Sequence, residues 1–163
     1  MTVEGWVRMM SRQGGVCTPY MRKIAAVSNK TEMFRVLCDV NGGSWLFDLQ
    51  AQGVPLPIEQ FLKEYAAYVN GKKTVDYPSG YTSSFYCRYD ERLVVADTTI
   101  VYLLECKATV SVPMNKYPTL VLSNDSYAEI TMCAGSRLNL ELYGDAKYTI
   151  VEGDKTKIRI TQH

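Results

Sequence analysis

His163 is the only histidine among the 163 residues, and it stands at the last position. A Ser-His-Asp or Cys-His centre needs a base that a third group holds in place, so one terminal imidazole argues against nucleophilic catalysis. It also removes the commonest zinc ligand. The five cysteines, Cys17, Cys38, Cys87, Cys106 and Cys133, include no Cys-x-x-Cys pair. Their odd number and wide spread, with no apolar leader before Trp6, fit reduced and mostly buried thiols better than a disulfide framework. Neither a Gly-x-x-x-x-Gly-Lys loop nor a Gly-x-Gly-x-x-Gly turn occurs.

Carboxylates are the remaining candidates. Asp97 with Glu105, or Glu129 with Glu141, would suit glycoside hydrolysis if neighbouring strands brought them about 5–10 Å apart in a cleft. Asp145 and Asp154 lie on successive turns and have the oxygen chemistry for calcium. Most acids on a β surface are simply solvated, however, and Asp closes turns through its own side chain. The sequence therefore assigns no catalytic residue, no cofactor-binding residue and no metal ligand. It leaves the binding residues unknown and points to a protein without enzymatic activity.

The elements that would position these groups follow a ten-residue beat. Ile100, Val110, Leu120, Ile130, Leu140, Ile150 and Ile160 are all aliphatic. The residue before each is polar: Thr99, Thr109, Thr119, Glu129, Asn139, Thr149 and Arg159. Two residues after the beat the chain is apolar again at Tyr102, Val112, Leu122, Met132 and Leu142, Glu152 being the exception. This period of two is the mark of strands with one buried face. Asn124-Asp125-Ser126, Gly135-Ser136, Gly144-Asp145 and Gly153-Asp154 supply the turns between them. Hairpin loops vary freely in length, whereas stacked coils need a constant side length. The constancy favours a β-solenoid or stacked β-prism over an antiparallel meander sheet.

Upstream the pattern is helical. Thr18 and Pro19 open a helix through Val27, Thr31 caps a second over Glu32–Val40, and Ser44 begins a third over Trp45–Gln52. Ile58–Val69 carries the stripe Phe61, Leu62, Tyr65 and Ala66, closed by Asn70-Gly71. Tyr77-Pro78-Ser79-Gly80 turns the chain into a strand over Tyr81–Tyr89. The expected class is α+β, with a helical head over 1–71 and a ten-residue-period β region over 72–163. The head is expected to cap one end of the β stack, whose last coil would otherwise present unpaired backbone.

Net charge is +1, and the basic pairs Arg22-Lys23 and Lys72-Lys73 are isolated. Nothing in this calls for a nucleic-acid or membrane partner. Twelve tyrosines read chiefly as strand packing, with an interaction surface as the alternative. No segment has the length of a membrane span. Synthesis in the cytoplasm without a signal peptide is expected, and release inside a virus particle is compatible with it.

Four segments carry a resemblance: Gly14-Gly15-Val16-Cys17-Thr18-Pro19-Tyr20-Met21, Leu37-Cys38-Asp39 leading to Ser44-Trp45-Leu46, Tyr68-Val69-Asn70-Gly71, and Gly80-Tyr81-Thr82-Ser83. Together they resemble small uncharacterised proteins of phages and prophages of Bacteroides-type gut bacteria. The resemblance carries no site residue across. It implies either a virion component, such as a fibre, spike or decoration protein, or a small intracellular phage factor that sequesters a host protein or ligand. The first is expected to assemble through its β region as a homo-oligomer, a trimer by preference. Its other partners would be virion proteins or a host surface glycan or protein.

Overall fold

Apolar residues at every second position make each ten-residue unit bury one face, and the computed structural model shows what they bury it against. It describes residues 2–13, 18–37, 58–70, 73–75, 82–95, 99–123 and 125–163. Among these residues four helices come first: α1 (Val3–Gln13), α2 (Thr18–Ala26), α3 (Lys30–Leu37) and α4 (Ile58–Val69). Ten strands follow: β1 (Lys73–Val75), β2 (Thr82–Cys87), β3 (Arg92–Val94), β4 (Thr99–Leu104), β5 (Lys107–Val112), β6 (Thr119–Ser123), β7 (Tyr127–Met132), β8 (Arg137–Leu142), β9 (Lys147–Glu152) and β10 (Lys157–Gln162).

Successive strands alternate between two sheets. One sheet has the order β1-β2-β4-β6-β8-β10 and the other β3-β5-β7-β9. All pairs are parallel except β1 with β2. The chain is thus a flattened β-solenoid of about four turns, of two ten-residue sides each from β5 onward and shorter before it, where Thr82 stacks on Thr99 and Val101 on Leu120. An antiparallel meander would pair each strand with the next in sequence, and here each strand from β2 to β8 pairs with the next but one.

The register explains where the beat holds. Leu120 pairs with Leu140 and Ile130 with Ile150, twenty residues apart. Val110, Leu120, Ile130 and Leu140 are each at most 1% exposed, and they fill the core between the sheets. At Ile100 the beat slips. Ile100 pairs with Thr119, while Val101 pairs with Leu120 and takes the inward position. Leu104 pairs with Ser123 but Lys107 with Tyr127, so the extra residue enters in the later coil's turn.

A second core lies on the outer face of the six-stranded sheet. Phe85, Cys87, Tyr102, Leu104, Val121 and Tyr143 pack there against Tyr20, Ile24, Met33, Phe34, Leu37, Tyr65 and Val69 from the helices. The helices therefore cover a sheet face. Among the described residues they meet the apolar side chains on the outer faces of β2, β4 and β6 rather than an end of the stack.

The helices differ in detail from expectation. α1 has no counterpart in the sequence reading. α3 starts at Lys30, and its cap is Asn29, not Thr31: the Glu32 N–H donates to Asn29 Oδ1 at 3.0 Å, and the Glu32 carboxylate accepts from the Ser28 N–H at 2.9 Å. Thr31 is exposed within the helix. The expected helix over Trp45–Gln52 lies outside the described residues, as do the Tyr77–Gly80 turn and Gly71.

Candidate functional site

Among the described residues, seven of the connections between strands carry one residue in the left-handed region. On one side these are Arg88, Glu105, Asp125 and Gly144, and on the other Asn115, Gly135 and Lys155, with φ between 51° and 70°. The turns therefore stack in two columns, one at each end of the strands. Ser126 ties one column across coils, its Oγ accepting from the Cys106 N–H and donating to the Leu103 carbonyl, both at 3.1 Å.

This layout separates Glu129 from Glu141, and Asp145 from Asp154. Glu129 is exposed on the outer face of β7 in the four-stranded sheet, and Glu141 lies on the outer face of β8 in the six-stranded sheet. The two stand on opposite sides of the molecule with the core between them, so they cannot flank one substrate. Glu105 holds Arg88 at 3.0 Å, while Asp97 lies outside the described residues. Asp145 and Asp154 fall in opposite turn columns, a strand length of roughly 20 Å apart, and cannot share a cation. Among the described residues, no three His, Cys, Asp or Glu side chains gather as a metal group would.

Buried thiols are held inert. Cys87 has its thiol pushed far up by burial and by nearby Cys106 and Glu105. Burial raises Cys106 to about 11 against backbone hydrogen bonds that oppose it. Cys106 is buried and Cys133 half-buried, both as free thiols. His163 stacks on Tyr143 at a ring distance of 4.2 Å and lies 3.7 Å from Glu141. This places the histidine on a surface beside an aromatic ring, with no nucleophile against it in the contacts described.

Besides a shallow opening of about 260 Å³ lined by Lys23, Val27, Glu32 and Arg35, three surfaces stand out among the described residues. Between α1 and α2, Arg8, Arg12, Met21, Ile24 and Ala25 line an open hollow of about 120 Å³, well below the ~300 Å³ at which small-molecule sites begin. The outer face of the four-stranded sheet is bare and flat, with ladders Thr109-Glu129-Thr149 and Ser111-Thr131-Val151. On the same face the Tyr127 and Thr149 hydroxyls hydrogen-bond at 3.2 Å.

The third surface is the last coil. Inward positions that are sealed earlier open there. Leu138 and Leu140 are 2% and 0% exposed, but their partner Ile158 is half-buried and Ile160 is 46% exposed. Ile130 is sealed, while its partner Ile150 is half-buried. The beat marked all of these positions alike in the sequence. What distinguishes them is that no strand lies beyond β9 and β10 among the described residues, a signal that a uniform repeat does not contain. Comparison of the chain with protein-family models, curated proteins and solved structures gave no match.

Proposed function

We propose that this protein is a noncatalytic structural or adhesion component of the phage type, a fibre, spike or decoration element that assembles through its β region. The observation that carries this reading is the uncovered inward ladder of the last coil. An apolar position that is fully buried in one coil and 46% exposed at Ile160 gains stability, about 25 cal/mol per Å², from any partner that covers it. Stacked parallel coils also make a stiff unit, because every inner strand is hydrogen-bonded on both edges. The bare four-stranded face, with its Thr ladders and Tyr127, offers a flat contact for a glycan or another protein.

The test is to purify particles from a culture that makes the protein and to quantify it by peptide mass spectrometry in the particle and free fractions. Enrichment in particles at a fixed ratio to a capsid protein is the expected result. A protein found wholly in the free fraction overturns the reading in favour of an intracellular binding role.

A further inference from the structure

The two ends of the solenoid are finished differently. At the first end, β1 runs antiparallel along Thr82–Ser84 of β2. Beyond it the Asn70 side chain takes over the edge, accepting from the Cys87 N–H at 2.7 Å and donating to the Cys87 carbonyl at 3.0 Å. At the last end, β9 and β10 each have one edge without a partner strand among the described residues.

The direction of the free backbone groups follows from the bonds already made. The N–H groups of Lys147 and Gly153 donate back to Ser126 and Met132, and those of Lys157 and His163 to Ser136 and Leu142. Peptide groups alternate sides along a strand. The N–H and C=O of Tyr148, Ile150 and Glu152, and of Ile158, Ile160 and Gln162, therefore point away from the stack. These same residues hold the inward ladder positions. Unpaired backbone and uncovered apolar side chains coincide.

We propose that this end docks onto the same end of a second copy of the chain, about a twofold axis parallel to the strands. The inference rests on the assembly reading above and names its partner and its surface. Strands β9 and β10 lie in opposite sheets, run in opposite directions and stand half a coil apart in height. Rotation about an axis along the strands exchanges the sheets and sets each β10 antiparallel to the other copy's β9. The half-coil steps then cancel, so both junctions reach the normal spacing of about 4.8 Å together. A twofold axis perpendicular to the sheets would join β10 to β10 and leave a one-strand gap between the two β9 edges.

The register that keeps inward residues inward sets Ile150 opposite the second copy's Ile160 and Tyr148 opposite its Gln162. Outward, Thr149 meets Thr161 and Val151 meets Arg159, so no like charges face each other there. A single extended peptide would satisfy one edge and leave the other open, whereas the matching half-coil step exists on another copy of this end. Net charge of only +1 adds little repulsion between copies. Strands of ~20 Å in two sheets ~10 Å apart present an end of roughly 400 Å², short of the ~800 Å² per partner of a standard interface. The dimer is accordingly concentration-dependent.

Light scattering on a sizing column, over a wide concentration range, tests this on the whole chain. The mass should climb from 18.4 kDa towards twice that value. Ile160→Pro removes a free edge N–H without touching the bonds to β8, and should weaken the dimer by about tenfold or more with an unchanged circular dichroism spectrum. Thr131→Lys, on the outer face of the four-stranded sheet, should dimerise like the parent. Should Ile160→Pro fold poorly, hydrogen exchange on the parent replaces it: the Ile150 and Ile160 amides should gain protection as concentration rises. A monomer at every concentration overturns both this proposal and the assembly reading. A trimer, or an oligomer abolished by Thr131→Lys and indifferent to Ile160→Pro, overturns the docking of ends and leaves assembly standing.

Discussion

Gly153 shows how narrowly single positions are constrained in the turn columns. A Cβ there would lie 2.7 Å from the Met132 carbonyl oxygen and 3.1 Å from the Ala134 nitrogen, both backbone atoms of the preceding coil. Gly144 has a φ of 60° but open space around its Cβ position. Gly153→Ala should therefore cost more than Gly144→Ala, about 2–3 kcal/mol against about 1 kcal/mol by chemical denaturation. The thiols separate on the same scale. With Cys106 raised to about 11 and Cys87 higher still, neither has appreciable thiolate near pH 8. Alkylation of the native protein, mapped by peptide mass, should reach Cys133 well before either of them.

Elements obey the register more than their own composition. Ile130 and Leu140 are sealed between the sheets, and their neighbours Glu129 and Asn139 face water. Ile130→Asp or Leu140→Asp should remove about 4 kcal/mol or more and unfold the β region. Glu129→Lys and Asn139→Lys should shift stability by less than about 0.5 kcal/mol in the same denaturation assay. In α3 the Glu32 carboxylate is held below its ordinary range, chiefly by the hydrogen bond from the Ser28 backbone and next by the Ser28 hydroxyl. A lowered folded value means that the cap contributes fully above the unfolded carboxylate value of about 4.3. That contribution fades as pH falls through the folded value. Acid titration of hydrogen exchange in α3 should show this loss in the parent and not in Glu32→Gln.

Across the whole molecule, stability is graded along the solenoid axis. The central strands β5 to β8 are paired on both edges, and β9 and β10 on one. Under dilute conditions amide exchange should be slowest in β6 and β7 and fastest in β10, with β9 between. Uniform protection through β10 at low concentration would mean that the last coil is covered within one chain. The helical layer adds to this grading, because it packs on β2, β4 and β6 and leaves the outer face of β8 with the polar Asn139 and Glu141.

Sequence alone determined the local pattern: a constant side length, one buried face per strand, turn residues at fixed intervals, and a helical stretch over Ile58–Val69 that α4 reproduces. These are nearest-neighbour properties, set by side-chain polarity and backbone conformation. Tertiary structure decided what lies farther away. Ile100 and Val101 exchange roles because one turn differs in length by a residue, and Asn70 completes the edge of β2 from 17 residues upstream of Cys87. Glu129 and Glu141, equally polar in the repeat, separate onto opposite faces because alternate strands enter different sheets. Ile160 is as apolar as Leu140, yet it is exposed where no strand covers β10 among the described residues. A repeat specifies what each unit buries, and the stack as a whole decides how completely each unit is covered.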